Sequence, residues 1–173
     1  FPLGEQSSLD LRFGFARDDI FNYTGDSAII ADEAALGALD TVSLGYSFEY
    51  DNRITGLNPK GGVLLRFGQD YAGLGGDSEY IKTTALALAE TKVLNEEVTL
   101  RAIFEGGAIT SLGGNVTRVT DRFFGNGKIR GFEPNGIGPR DLGATNQDAL
   151  GGNLFAVARF EADFPLGLPE EYG

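Results

Sequence analysis

An antiparallel transmembrane β-barrel, present here as an arc of about six strands, is the all-β fold class that the sequence predicts, and three observations predict it. Apolar residues alternate with polar or small ones at period two in one stretch after another. The connections between these stretches alternate between long and short, as outer loops and tight periplasmic turns do in barrels. Aromatic rings (Phe13, Phe15, Tyr46, Phe48, Tyr50, Phe160 and Phe164) recur near the strand ends, which suits a lipid-facing band with interfacial rings. Six strands are too few to close the wide barrel implied.

The first strand places Leu9, Leu11, Phe13 and Phe15 on one face and Asp10, Arg12, Gly14 and Ala16 on the other. Residues 18–40 form a long connection whose middle, AIIADEAALGAL, has helical composition behind a cap at Asp26 or Ser27, so a short surface helix is expected there. Alternation returns with Val42, Leu44, Tyr46, Phe48 and Tyr50 against Ser43, Gly45, Ser47, Glu49 and Asp51. A turn marked by Asn58-Pro59 and Gly61-Gly62 follows. The third strand carries Val63, Leu65, Phe67 and Tyr71, with Gln69 interrupting the apolar face and Leu64 the polar one. After GLGGDSE at 73–79, the fourth strand, about Tyr80 to Val93, has the weakest alternation, because Leu86 and Leu88 stand against alanines. The turn LNEE leads to the fifth face, Val98, Leu100, Ala102 and Phe104, opposed by Thr99, Arg101 and Glu105. A loop from about Thr110 to Gly152 precedes the sixth strand, which turns Leu154, Ala156, Ala158, Phe160, Ala162 and Phe164 outward and Asn153, Arg159, Glu161 and Asp163 the other way.

Two of the three long connections far exceed the usual loop length of about 4 to 6 residues. The polar faces mix Arg, Asp, Glu, Ser and Gly, a mixture that a soluble sandwich or soluble barrel also permits. Composition supports strands and turns: the 26 glycines among 173 residues are twice the usual share of about 7%. With no Cys, neither a disulfide framework nor a thiolate metal site is available, and no cofactor is expected. A net charge of −11 without a basic cluster argues against nucleic acid. No apolar run approaches the roughly 18 residues of a membrane-spanning helix, but a membrane strand needs only about 9 to 11 residues, half of them apolar. The chain begins without Met and ends in the turn-like PLGLPEEYG, so it reads as part of something larger.

The long sixth-strand loop contains the run IRGFEPNGIGPRD, residues 129–141. An arginine between Ile129 and Gly131-Phe132 gains nothing from its apolar neighbours in a solvated loop. In a loop folded back into a wet cavity those neighbours would pack and Arg130 would find a carboxylate. The wording DRFFGNGKIRGFEPNGIGPRD, then DALGGN, then RFEADFPLGLPEEYG resembles the BamA family of outer-membrane protein assembly factors, alphaproteobacterial in style. The likeness covers residues 41–173 in layout and 121–173 in wording.

The resemblance implies a sixteen-stranded outer-membrane barrel preceded by periplasmic POTRA domains. Residues 1–173 would then be part of one barrel domain, strands seven to twelve, with the POTRA domains and the seam strands outside this chain. The loop of residues 110–152 would be the sixth extracellular loop and that of residues 18–40 the fourth. It further implies that Ile129, Arg130, Gly131 and Phe132 form the lumenal loop motif and that Glu161 on the next strand is the acid facing Arg130. A second acid and an aromatic would come from a strand beyond Gly173. Losing one partner of such a pair costs about 3 to 5 kcal/mol if it is truly buried and much less in a wet lumen. The implied function is assembly and insertion of outer-membrane β-barrels in a Gram-negative outer membrane. The implied partners are outer-membrane lipids, nascent outer-membrane proteins and, through the POTRA domains, the Bam complex lipoproteins.

Other classes fit less of the sequence. A TamA-like translocation factor or a two-partner-secretion transporter shares the R-G-F/Y loop, whereas a porin lacks it. Enzymatic activity is not expected: without His or Cys only carboxylate, Ser, Lys or Tyr chemistry remains. Glu161 and Asp163, two apart on a polar face, would make an unusual glycosidase pair. GLGGDS occurs once and reads as a turn rather than a calcium-binding repeat, and no GxxxxGK[ST] is present.

Overall fold

The computed structural model describes residues 1–53, 61–94, 97–114 and 116–164. The expected turn at Asn58-Pro59 and the tail at 165–173 lie outside the described residues. Six antiparallel strands follow one another in a single sheet: β1 (Ser7–Asp18), β2 (Leu39–Asp51), β3 (Gly62–Gly76), β4 (Tyr80–Val93), β5 (Val98–Ser111) and β6 (Leu154–Asp163). Each pairs only with its sequence neighbours, so the sheet is a meander whose long connections all lie at one end. The strands run 10 to 15 residues, enough to cross a bilayer at a barrel's tilt.

Register decides the faces. Phe13 stands opposite Leu44, Leu44 opposite Tyr71 and Tyr71 opposite Ile81, so the rows of large apolar residues on β1 to β3 share one face. On β4 that face carries Ala85, Ala87 and Ala89, paired with Gly106, Phe104 and Ala102 of β5, which in turn meet Ala156, Ala158 and Phe160 of β6. Leu86 and Leu88 therefore point to the polar side, where Leu88 lies between Leu64 and Ile103. This accounts for the weak alternation of β4: the small residues face outward and the bulky ones inward.

Among the described residues nothing covers the apolar face. Phe13, Phe15, Leu154 and Phe160 are 65–83% exposed, and no second sheet stands against them among the described residues. A contiguous apolar surface of this extent needs another medium or partner against it, and an alternating strand row with lipid on one side is the barrel solution. Gln69, the polar intruder on this face, is satisfied across the strands: its Nε2 donates to Thr83 Oγ1 at 3.1 Å and its Oε1 accepts from the Tyr46 hydroxyl at 3.4 Å.

The polar face is laced by cross-strand ion pairs. Arg12 reaches Asp70 at 2.8 Å, Arg66 pairs with Glu49 directly opposite, and Arg101 lies between Glu90 and Glu161. Opposite charges facing each other in register support the sheet.

The 19–38 connection carries the expected helix, α1 (Ala28–Ala35), with Ser27 as its N-cap accepting from the Ile30 amide at 3.3 Å. That connection is fastened to the 112–153 loop. The Tyr23 hydroxyl donates to Asp148 at 2.5 Å, the Ser27 hydroxyl to Asp141 at 2.6 Å, and the Thr145 amide to Asp26 at 2.5 Å. Glu33 of α1 accepts from the Val119 amide at 2.9 Å. The two long loops are one polar body at one end of the sheet.

Candidate functional site

The loop of residues 112–153 folds back onto the polar face of β4 to β6. Backbone bonds close it on itself: Phe123 and Gly152 exchange amide-to-carbonyl bonds at 2.8 and 2.9 Å, and the Leu150 amide donates to the Pro139 carbonyl at 2.9 Å. Phe123 then packs at a tilt of 59° against Phe155 of β6, ring centroids 4.8 Å apart. Gly107 of β5, opposite Phe155, makes this approach feasible, since a Cβ there would sit 2.5 Å from the Phe155 ring and 2.9 Å from that of Phe123. Lys82 of β4 donates to the Asp121 carbonyl at 2.8 Å and lies over the Phe123 ring. Burial of Asp121 raises its carboxyl above the ordinary 3.8 against the pull of Arg118 and Lys82.

The tip of the loop, residues 125–136, lies over β5 and β6. The Lys128 ammonium is in hydrogen-bond contact with Glu105 of β5 and sits 4.3 Å from the centroid of Phe155. Arg159 of β6 donates from Nη1 to the Lys128 carbonyl at 3.2 Å. Two residues further on, Arg130 Nη2 stands 3.5 Å from Glu161 Oε1. Gly131 has φ of +89°, a backbone that L side chains resist, while the place of its missing Cβ is open space. Its glycine thus serves the turn, and closeness to the wall plays no part. Ile129 is 42% and Phe132 59% exposed.

Arg130 and Glu161, the pair that the family resemblance implies, lie in contact here, but loosely. The Arg130 side chain is 95% exposed and its contact is longer than a hydrogen bond, so the pair is wet, and its contribution falls in the range of surface ion pairs, about 1 kcal/mol or less. Glu161 is shared besides, with Arg101 Nη1 at 3.6 Å, and Arg101 itself is hydrogen-bonded to Glu90 and Asp163. Glu161 and Asp163 are thus members of an ion-pair ladder. Sequence reasoning passed over Lys128, Glu105 and the Phe123 and Phe155 pair. Glu105 was on the correct face, and Lys128 is the cation two places before the motif.

A sheet with one bare apolar face, long loops at one end and a loop returning over its polar face defines the wall of an outer-membrane-type barrel. Across residues 1–172 the chain matches the Omp85 superfamily domain, and it belongs to that superfamily. It is 33% identical, over 172 residues covering 99% of the chain and 23% of the relative, to the outer membrane protein assembly factor BamA of Neorickettsia risticii. It is 34% identical over 127 residues, 72% of the chain and 26% of the relative, to the sorting and assembly machinery component 50 homolog of Homo sapiens. In structure it aligns at a TM-score of 0.81, with 18% identity, over 99% of its length and 37% of the crystal structure of BamA from Haemophilus ducreyi lacking POTRA domains 1–3. The chain therefore spans about a quarter of the length of these curated relatives, and it corresponds to a piece of their barrel.

Proposed function

We propose that this chain is the wall and lumenal loop of a BamA-like factor that assembles β-barrels in a Gram-negative outer membrane. The observation that carries the reading is the position of the IRGF loop. Residues 129–132 lie over the polar face of a sheet whose opposite face is apolar and bare, as a lumenal loop must. The relative from Neorickettsia is itself an outer membrane protein assembly factor. The substrates in this reading are nascent outer-membrane strands, the surroundings are outer-membrane lipids, and lipoproteins would join through POTRA domains. No bond chemistry is involved. A barrel of this kind lowers the barrier to client insertion by disturbing the bilayer and presenting strand edges, which closed barrels otherwise eliminate.

Within it, Arg130 and Glu161 form the motif pair. The test is insertion of an unfolded porin into liposomes by the full polypeptide. Arg130→Ala and Glu161→Gln are expected to slow insertion by up to about fivefold, the equivalent of about 1 kcal/mol. Unchanged insertion in both variants would overturn the assignment of the pair.

A further inference from the structure

We infer that Lys128 is the positioning residue of the loop: it docks the loop tip on β5 and β6 through Glu105 and the Phe155 ring, while Arg130 makes only an exposed, longer contact with the wall at Glu161. The inference rests on the proposed function for its meaning and on geometry for its content. Two cations, two positions apart, meet the same wall very differently. Lys128 and Glu105 are 24% and 23% exposed at their side chains, whereas Arg130 is 95% exposed. The Lys128 ammonium makes a hydrogen-bonded ion pair, and among the described residues Arg130 makes none. Lys128 has a second attraction in the face of Phe155 at 4.3 Å, which strengthens as water is excluded. Its backbone is held too, by Arg159 from the wall and by its own amide donating to the Gly125 carbonyl at 3.1 Å.

The strands pre-arrange this socket. Glu105 and Phe155 lie on the polar face of neighbouring strands, Glu105 opposite Val157 and Phe155 opposite Gly107, so one ammonium can touch both. The absence of a side chain at Gly107 lets the Phe155 ring lie where Lys128 covers one part and Phe123 another. Charge also favours the division of labour. Glu161 is already engaged by Arg101, whereas Glu105 has no other basic partner among the described residues. A half-buried pair with an aromatic neighbour holds a loop better than an exposed contact at 3.5 Å.

The test places a nitroxide spin label at Glu133→Cys, an exposed position of the loop tip, in the full polypeptide in lipid vesicles; these 173 residues contain no cysteine, and any cysteine elsewhere in the polypeptide is replaced by serine. Folding is checked for every variant by heat-dependent gel mobility. Lys128→Met and Glu105→Gln are each expected to increase the mobile fraction of the label severalfold. Lys128→Arg, which keeps the charge and the ring contact, and the exchange Lys128→Glu with Glu105→Lys are expected to restore the immobile spectrum. Arg130→Gln is expected to leave it unchanged. Label mobility equal to the parent in both Lys128→Met and Glu105→Gln, or as large an increase from Arg130→Gln as from Lys128→Met, would overturn the inference. Insertion of the porin, followed in parallel, separates the two claims. A mobilised label with normal insertion keeps the anchor and sinks the assembly role of the docked loop. Slowed insertion with an unmoved label does the reverse.

Discussion

At the scale of single residues, one glycine makes room for the aromatic contact between loop and wall. Gly107 clears the space in which Phe123 of the loop meets Phe155 of the wall, and a Cβ there would press on both rings. Gly106, its neighbour, faces outward, where the nearest atom to an added Cβ is a carbonyl oxygen 3.4 Å away. Gly107→Ala is therefore expected to cost about 1 to 3 kcal/mol through overpacking, and Gly106→Ala much less. Urea titrations of the two variants folded in vesicles compare them directly, and equal midpoints would contradict the packing described. Neither role is visible in a sequence that offers 26 glycines without distinction. The contact of Arg130 with Glu161 is legible only through the family wording of the loop, with the phase of β6 placing Glu161 on the polar face. That of Lys128 is not, because a lone lysine in a polar loop carries no pattern until the fold brings Glu105, 23 positions away, beneath it.

At the scale of elements, the two long loops are held together by carboxylates that receive amide and hydroxyl protons, and this bond has a pH dependence with a definite sign. Hydrogen bonds from Thr145 draw the Asp26 carboxyl below its ordinary 3.8. A depressed folded value means that the stability Asp26 contributes is present above about pH 4 and is lost as pH falls through the folded value. Tyr23 is shifted upward, first by desolvation and then by its bond to Asp148, so its contribution persists in acid and is lost only above its ordinary 10.0. Asp121, raised by burial, acts with the opposite sign to Asp26 and is relieved by acid. The 143–148 segment should thus loosen in acid at the Asp26 contact specifically. Protection of the Thr145 and Asn146 amides, corrected for intrinsic exchange, should fall below about pH 4 in the parent, while Asp26→Ala, which has no acceptor, should lack protection already at neutral pH. Protection independent of pH in the parent would contradict the clasp. These contacts join residues more than a hundred positions apart, and polar loops have no periodicity from which such pairs can be read. The strands are the opposite case: β1, β2, β5 and β6 announce themselves by alternation, and so does the Ser27 cap of α1 by its side-chain chemistry. β4 blurred because its size order is inverted, alanine outward and leucine inward.

At the scale of the whole molecule, the sheet separates an apolar face, which suits lipid, from a wet, charged interior. The outward face changes along the sheet, from Leu, Phe and Tyr on β1 to β3 to mostly Ala and Gly on β4 to β6, yet no charged residue of a described strand lies on it between Leu9 and Phe15, Val42 and Phe48, Leu65 and Tyr71, Ala85 and Ala89, Leu100 and Ala108, or Leu154 and Ala162. A charge placed there would have to leave water, at a cost that depends on depth. Near the middle of β6, Ala158 faces outward and Val157 inward, one position apart and on either side of the same backbone. Ala158→Arg is expected to destabilise the vesicle-folded barrel by about 2 to 4 kcal/mol, the range for arginine near the bilayer midplane. Val157→Arg would face the polar interior opposite Glu105, where the guanidinium competes with Lys128 for that carboxylate but keeps polar surroundings, and should cost less than Ala158→Arg. Urea unfolding of both variants in the same lipid measures the difference. A soluble sheet would show the same small penalty at both positions, because both would face water, and a face assigned the wrong way round would reverse their order.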